Sequence, residues 1–314
     1  MAHDELELVQ WLQRRKQTHA CVRLGIGDDM AVLTCSSDRM LVSSDLLLDG
    51  VHFVSQRHSP RQIGRKAVAR GLSDCAAMAV RPIAAVASVV LPHKMDLATA
   101  KELFEGVFSG AAEFDVPVVG GDTARWDHPL AIDVTVIAEP FSGVEPITRS
   151  GARVGDQVFV TGVLGGSLLG RHMNFTPRIA EAKLLAERLG ADLHAMIDIS
   201  DGLLLDMWRV CRESGVGAVL DERQLLGVVS EDAKRMATTD NRTALDHALS
   251  DGEDYELLVT TVAEIAAAPG GAPGPLRLIG RVVEDGLALA RADGSVEEIA
   301  STQAPTFMSG GYVH

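Results

Sequence analysis

Six short stretches of this chain set Asp beside Gly, Ser or a second carboxylate at the end of an apolar run. They are Gly25-Ile26-Gly27-Asp28-Asp29, Ser43-Ser44-Asp45, Leu72-Ser73-Asp74, Gly120-Gly121-Asp122, Ile197-Asp198-Ile199-Ser200-Asp201-Gly202 and Asp251-Gly252-Glu253-Asp254. Mg²⁺ takes hard oxygen ligands, keeps several waters and shares its remaining positions with substrate phosphates. Carboxylates converging from separate segments therefore point to a metal-dependent enzyme acting on phosphates.

Each motif has a structural explanation beside the chemical one. Asp28-Asp29 follows two glycines that let the backbone turn tightly towards a ligand, and a solvated turn explains the same residues. Ser43-Ser44-Asp45 is read at the end of a strand, where hydroxyls beside a carboxylate fill out an octahedral shell or form a cap. Gly120-Gly121-Asp122 is read at the end of a buried strand, with the glycines allowing backbone approach to phosphate while Asp122 takes a cation. Ser200 or Asp201 suits a helix N-cap, yet Asp198 precedes that cap and shares the side of Ser200 by strand alternation. His52 either donates to a phosphate or packs beside Phe53. Gly162 to Gly170 holds four glycines and reads as a phosphate cradle or as tight packing. There is no G-x-x-x-x-G-K-[ST] loop, no G-x-G-x-x-G after a strand, no G-x-S-x-G elbow and no H-E-x-x-H helix.

Periodicity supplies the elements that must position these residues. Helical spacing covers Leu6 to Arg15, Ile63 to Ala79, Leu97 to Phe114, about Pro177 to Leu189, and Leu203 to Cys211. Strand patterns cover Ala31 to Thr34, Met40 to Ser43, Ile83 to Leu91, Val116 to Val119, Ala131 to Ala138, Gln157 to Thr161, Ala195 to Ile199 and Tyr255 to Thr260. Turn formers at Arg149 to Asp156 place a domain boundary near residue 145, and the Ala/Pro/Gly run Ala266 to Pro275 reads as a surface loop.

A chain of 314 residues with 46% hydrophobic content suits two domains of about 150 residues. Its net charge of −14 argues against nucleic acid or an anionic membrane as the main partner. Cys21, Cys35, Cys75 and Cys211 lie far apart and suit a reducing cytoplasm. The acidic start and the shortness of the longest apolar run, Ile83 to Leu91, give no targeting or membrane segment.

Taken in order, Gly27-Asp28-Asp29, Ser44-Asp45 through Asp49-Gly50-Val51-His52-Phe53, Leu72-Ser73-Asp74 through Met78, Gly120-Gly121-Asp122-Thr123, Thr148-Arg149-Ser150-Gly151, Val160-Thr161-Gly162, Ile197-Asp198-Ile199-Ser200-Asp201-Gly202-Leu203 and Gly252-Glu253-Asp254-Tyr255-Glu256-Leu257 resemble the motif series of the thiamine-monophosphate kinase family. The resemblance implies ATP- and Mg²⁺-dependent transfer of a phosphoryl group to thiamine monophosphate, giving thiamine diphosphate. It implies a two-domain α/β (α+β) fold like that of aminoimidazole ribonucleotide synthetase, with a mixed sheet and helices in the N-terminal domain. Residues 1–145 would bind metal and ATP and form a cytoplasmic homodimer, and the α/β domain 146–314 would complete the ATP and substrate sites. By motif position, Asp29, Ser43, Ser44, Asp45, Asp74, Asp122, Asp198 and Asp201 would hold several Mg²⁺ ions, with Asp45, Asp74 and Asp122 as the catalytic set. Gly121, Asp122, Arg149 and Ser200 would contact ATP, and His52, Glu253 and Tyr312 the thiamine phosphate. The chain departs from that pattern at Arg171 to Phe175, which is shorter by roughly a helix, at Ala124, near the N-terminus and at Gly311 to His314. The alternatives are a sister enzyme of the same superfamily with another substrate, and a non-catalytic protein that binds thiamine phosphate or nucleotide.

Overall fold

The computed structural model describes residues 2–15, 18–27, 30–262 and 276–300, so Asp28, Asp29, the 266–275 loop and Tyr312 lie outside the described residues. The chain forms two compact units. The first comprises Met1–Cys75, Val80–Pro140 and Met173–Phe175, the second Ala76–Ala79, Phe141–His172 and Thr176–His314.

In the first unit, α1 (Ala2–Gln13) precedes a small antiparallel pair, β1 (Val22–Leu24) and β2 (Val32–Leu33). A four-stranded sheet follows, built from β3 (Leu41–Leu48), β4 (Val80–Pro92), β5 (Val118–Trp126) and β6 (Ala131–Pro140) in the order β3-β6-β4-β5. Strands β4 and β5 are parallel, as a crossover through a helix requires, and the other pairs are antiparallel. Pairing puts Asp45, Val134, Ala87 and Gly121 in one row on one face of the sheet. Val134 and Ala87 are buried there, whereas Val42, Ser44 and Leu46 on the opposite face of β3 are exposed. Helices α2 (Pro60–Ala77) and α3 (Leu97–Ala112) meet at glycines. A Cβ on Gly64 would stand 2.1 Å from the Leu103 carbonyl oxygen, and one on Gly106 would stand 2.1 Å from that of Arg61. The Asp96 side chain starts α3 by accepting the Thr99 N–H at 2.7 Å.

The second unit is a seven-stranded mixed sheet in the order β13-β12-β9-β11-β7-β10-β8. The strands are β7 (Gln157–Val160), β8 (Leu193–Asp198), β9 (Gly217–Asp221), β10 (Leu257–Thr261), β11 (Arg277–Val283), β12 (Leu287–Ala290) and β13 (Val296–Ala300). Alternation divides its core. Val158, Val160, Ala195 and Ile197 pack with α5 (Leu203–Ser214) and α8 (Ala244–Ser250), while Phe159, Met196 and Val259 pack with α4 (Ile179–Leu189). Two short helices, α6 (Glu222–Leu226) and α7 (Glu231–Met236), each start on a side-chain cap, from Asp221 and Ser230. Among the described residues no helix is long and apolar enough to cross a membrane.

Two expectations about the motifs are corrected. Ser43-Ser44-Asp45 lies within β3, which pairs with β6 from Leu41 to Leu48, and Gly120-Gly121-Asp122 lies within β5, which pairs with β4 as far as Trp126. Glycine and serine predicted strand ends, but a full ladder of neighbours overrides local preference.

Gly106→Ala gains about 1 kcal/mol of helix propensity but forces a methyl group into the Arg61 backbone, where overpacking costs about 1–3 kcal/mol or more. A net loss is expected, read as a lower urea midpoint. An unchanged midpoint contradicts the glycine crossing.

Candidate active site

Asp45 sits on the helix side of β3, where its Oδ1 lies 3.3 Å from Arg70 Nη2 of α2. Asp74 lies a turn further along the same helix. Both carboxylates act on one thiol, since burial first and then Asp74 and Asp45 push Cys75 up. The Ser44 hydroxyl does not join them. It points to the other face, 2.9 Å from both oxygens of Asp133 and 3.0 Å from Thr135 Oγ1. The reason is the period of a strand, which puts Ser43 and Asp45 on one side and Ser44 on the other.

Gly121 and Asp122 line a cavity of about 480 Å³. Its walls are Ile26, Gly27 and Met30, the rings of Phe104 and Phe108 from α3, and Val118 to Thr123 of β5. Gly27 and Met30 and the Gly-Gly-Asp strand therefore line one hollow, whose wall combines Phe104 and Phe108 with the Asp122 carboxylate. Gly121 is required there because a Cβ would stand 2.0 Å from the Ala87 carbonyl oxygen. A larger hollow of about 660 Å³, lined by His93, Trp126 and His128, holds none of the sequence-selected metal ligands. His52 is buried, and its Nδ1 accepts the Leu48 N–H at 3.0 Å, so the neutral ring carries its proton on Nε2.

One distance follows from strand order. Asp45 is on one edge strand and Asp122 on the other, three strand spacings or roughly 14 Å apart and on opposite faces. Two carboxylates of one chain so placed do not bind a single ion.

In the second unit, Asp198 ends β8 and Asp201 precedes α5, both buried. The cap expected from Ser200 or Asp201 is absent. Gly202 takes the N-cap position with no side-chain hydrogen bond, and Asp206 Oδ2 accepts the N–H groups of Ser200 (3.1 Å) and Asp201 (3.0 Å) from within the helix. Arg149 is exposed on its loop, which is anchored where Met196 N–H donates to the Thr148 carbonyl at 3.0 Å.

The glycine-rich turn after β7 is a packing device and not a phosphate cradle. Its N–H donors are already engaged, Gly165 by Asp254 at 2.9 Å and Gly166 by Asp251 at 2.9 Å, and a Cβ on Gly166 would stand 2.3 Å from Ala233 N. Glu253 is 1% exposed, with Oε2 3.0 Å from His172 Nδ1 and Oε1 accepting the Tyr255 hydroxyl at 3.1 Å. Glu253 and Tyr255 both take left-handed φ values, 54° and 53°. Backbone bonds to Ser200 and Ile199 carbonyls, at 2.7 and 2.8 Å, hold that conformation.

Comparison with known proteins decides what this framework belongs to. The N-terminal domain pattern of AIR synthase related protein matches residues 27–139 and its C-terminal domain pattern matches 166–290. A thiamine-monophosphate kinase of Rhodopirellula baltica is 40% identical over 271 residues, 84% of each chain. The chain belongs to the thiamine-monophosphate kinase family. The crystal structure of thiamine-monophosphate kinase from Stenotrophomonas maltophilia K279a superposes with a TM-score of 0.72 at 30% identity, covering 93% of this chain and 96% of that one. AaThiL complexed with AMPPCP and TMP gives 0.71 at 27% identity, covering 94% and 95%.

For a thiamine-monophosphate kinase, sequence reasoning missed several groups that shape the site. Asp206 and Arg209 organise the Asp198 to Asp201 loop, Arg171 pairs with Asp254 at 2.6 Å, and Arg178 holds both oxygens of Glu256 at 2.9 and 2.7 Å. The signal for Asp206 is present: it falls on the apolar stripe Leu203, Met207, Val210 of α5, where a carboxylate needs a partner. Among the described residues no three His, Cys, Asp or Glu side chains close on one point. The candidate donors, Asp45, Asp74, Asp122, Asp198 and Asp201, are nevertheless hard oxygens, and Mg²⁺ commonly takes one or two carboxylates with water and phosphate completing its shell. The residues fit that ion.

Burial pushes Asp254 up to about 7, against the opposing pull of Arg171 and the Gly165 N–H. The folded chain then keeps a proton that an unfolded Asp loses near pH 4, so stability from this group falls as pH rises from about 4 to about 7. The Tm difference between the wild type and Asp254→Asn should shrink or reverse across that window. A constant difference contradicts the assignment.

Proposed function

We propose that this chain transfers the γ-phosphoryl group of ATP to thiamine monophosphate in a single in-line step, giving thiamine diphosphate and ADP, in the cytoplasm and as a homodimer. The observation that carries the reading is the cavity shared by the Gly27 and Gly120-Gly121-Asp122 segments. Its aromatic residues, Phe104 and Phe108, suit a nucleobase. The Gly121 backbone and Asp122 would meet the phosphates.

Phosphoryl transfer depends on positioning and on neutralising oxygen charge more than on covalent help. Bound Mg²⁺ would supply that neutralisation between two phosphate-bearing substrates. Asp45, Asp74, Asp122, Asp198 and Asp201 would hold the ions, joined by Asp29 and Ser43. Ser44 would join through its main chain, since its hydroxyl is held by Asp133. Arg149, exposed and planar, would grip ATP phosphates as a donor fork beside Ser200, a role Lys fills poorly. The acceptor is a phosphate oxygen, largely ionised near pH 7 given a second pKa of about 6. No strong general base is then needed. His52 would donate to that phosphate through Nε2, and Glu253, held in place by His172 and Tyr255, would face the thiamine with Tyr312. Residues 1–145 would bind metal and ATP and form the dimer, and residues 146–314 would complete the ATP and substrate sites.

The roughly 14 Å between Asp45 and Asp122 supports the dimer. A metal shared by these two residues takes one from each copy. Asp122→Asn and Asp45→Asn should each abolish turnover with little loss of stability, because neither side chain carries the core. Unfolding and refolding the two variants together should restore about a quarter of wild-type turnover, since half the dimers are mixed and each then has one intact site of two. Wild-type turnover in Asp122→Asn contradicts the metal role, and no recovery in the mixture contradicts the shared site.

A further inference from the structure

Three carboxylates and one guanidinium meet where β8 passes into α5. Arg209 Nη1 donates to Asp206 Oδ1 at 2.6 Å, and Arg209 Nη2 pairs with Asp201 Oδ2. Asp206 is 0% exposed, and its other oxygen is occupied by the Ser200 and Asp201 N–H groups. Asp198 and Asp201 both act on it electrostatically. Arg209 itself keeps 27% of its side chain in solvent. The four groups sum to −2 if all are ionised, with a single cation bridging a buried anchor and an acidic residue of the loop.

The two arms of this fork differ. The arm on Asp206 ends on a carboxylate with no exposure and no role in the metal set, so it fixes where Arg209 stands. The arm on Asp201 ends on one of the residues assigned to Mg²⁺. An oxygen that accepts from a guanidinium has less charge and less room to offer an ion, which needs ligands at about 2.0–2.1 Å. Exchange is open to Arg209 because its exposed part can turn to water while Nη1 keeps Asp206.

We infer that Arg209 is the resident counter-ion of Asp201 and competes with the metal for it, thereby setting the Mg²⁺ concentration at which the Asp198 to Asp201 loop fills. This rests on the kinase reading and goes beyond it by naming a positioning residue that is neither a ligand nor a substrate contact. Without metal, Arg209 holds the loop against the mutual repulsion of its carboxylates. With metal, the dication takes over Asp201 and the guanidinium falls back on Asp206.

The test is Mg²⁺-dependent thermal stabilisation of the full chain at fixed ADP, a readout independent of turnover. Arg209→Gln should lower the Mg²⁺ midpoint about five-fold, the size of one partly exposed ion pair. Arg209→Lys, which keeps the charge but loses the fork, should shift it in the same direction by less, and it carries the test if Arg209→Gln does not fold. In an Asp201→Asn background the Arg209 change should leave the midpoint within about two-fold, because the contested oxygen is gone. An unchanged or raised midpoint in the single variants overturns the proposal, as does a five-fold shift that persists without Asp201, which would be through-space charge alone. Loss of any Mg²⁺ effect in the wild type is a different result. It removes the metal role of this loop, and the proposal with it.

Discussion

A carboxylate taken out of water must find donors or a cation, and leaving one unpaired costs several kcal/mol. The second unit is organised by that constraint. Asp156 is met by His194, Asp206 by Arg209 and two backbone N–H groups, Asp251 by His247 and Arg242, Glu253 by His172 and Tyr255, Asp254 by Arg171 and Gly165, and Glu256 by Arg178 and Thr161. These partners include His194 of β8, Arg209 of α5, His247 of α8, Gly165 of the glycine-rich turn, Thr161 just after β7 and Arg178 just before α4. The loop between β8 and α5 is thus fixed from two sides, by Asp206 from the helix and by the 253–255 backbone from the following segment. A site meant to hold several negative groups close together needs such a frame, because those groups do not hold one another.

The first unit meets the same chemical demand differently. Its acidic residues lie on or beside an open four-stranded sheet, with Asp45 and Asp122 at opposite edges. Little burial is involved at Asp122, which makes it available to solvent and ligand, and Asp45 leans on Arg70. Strand order here decides more about the chemistry than side-chain type does. It sets Asp45 and Asp122 on opposite edge strands, too far apart within one chain to share an ion.

Much of the element order was legible because apolar spacing records burial directly. The helices Leu97–Ala112 and Leu203–Ser214 and the strands Val80–Pro92 and Ala131–Pro140 match their patterns within a few residues. Motif positions were less legible. Glycine and serine at 43–44 and 120–121 read as strand ends, although neighbouring strands carry the ladder past them. The glycines at 165 and 166 read equally as a cradle or as packing, and only the carboxylates of Asp251 and Asp254, nearly ninety residues away, decide between the two. Adjacency groups Ser44 with Asp45, whereas a strand puts adjacent side chains on opposite faces. Asp206 stands alone in the sequence, yet it orients Ser200 and Asp201, which the motif makes conspicuous. Contacts remote in sequence leave few local marks.

The claim that joins family, fold and carboxylate placement is phosphorylation of a phosphate. The direct measurement is thiamine diphosphate formed by the purified chain from thiamine monophosphate, ATP and Mg²⁺, beside reactions without Mg²⁺ and with free thiamine in place of the monophosphate. The account predicts product from the monophosphate alone and only with Mg²⁺. ATP binding without thiamine diphosphate formation would contradict it and assign this site to another acceptor.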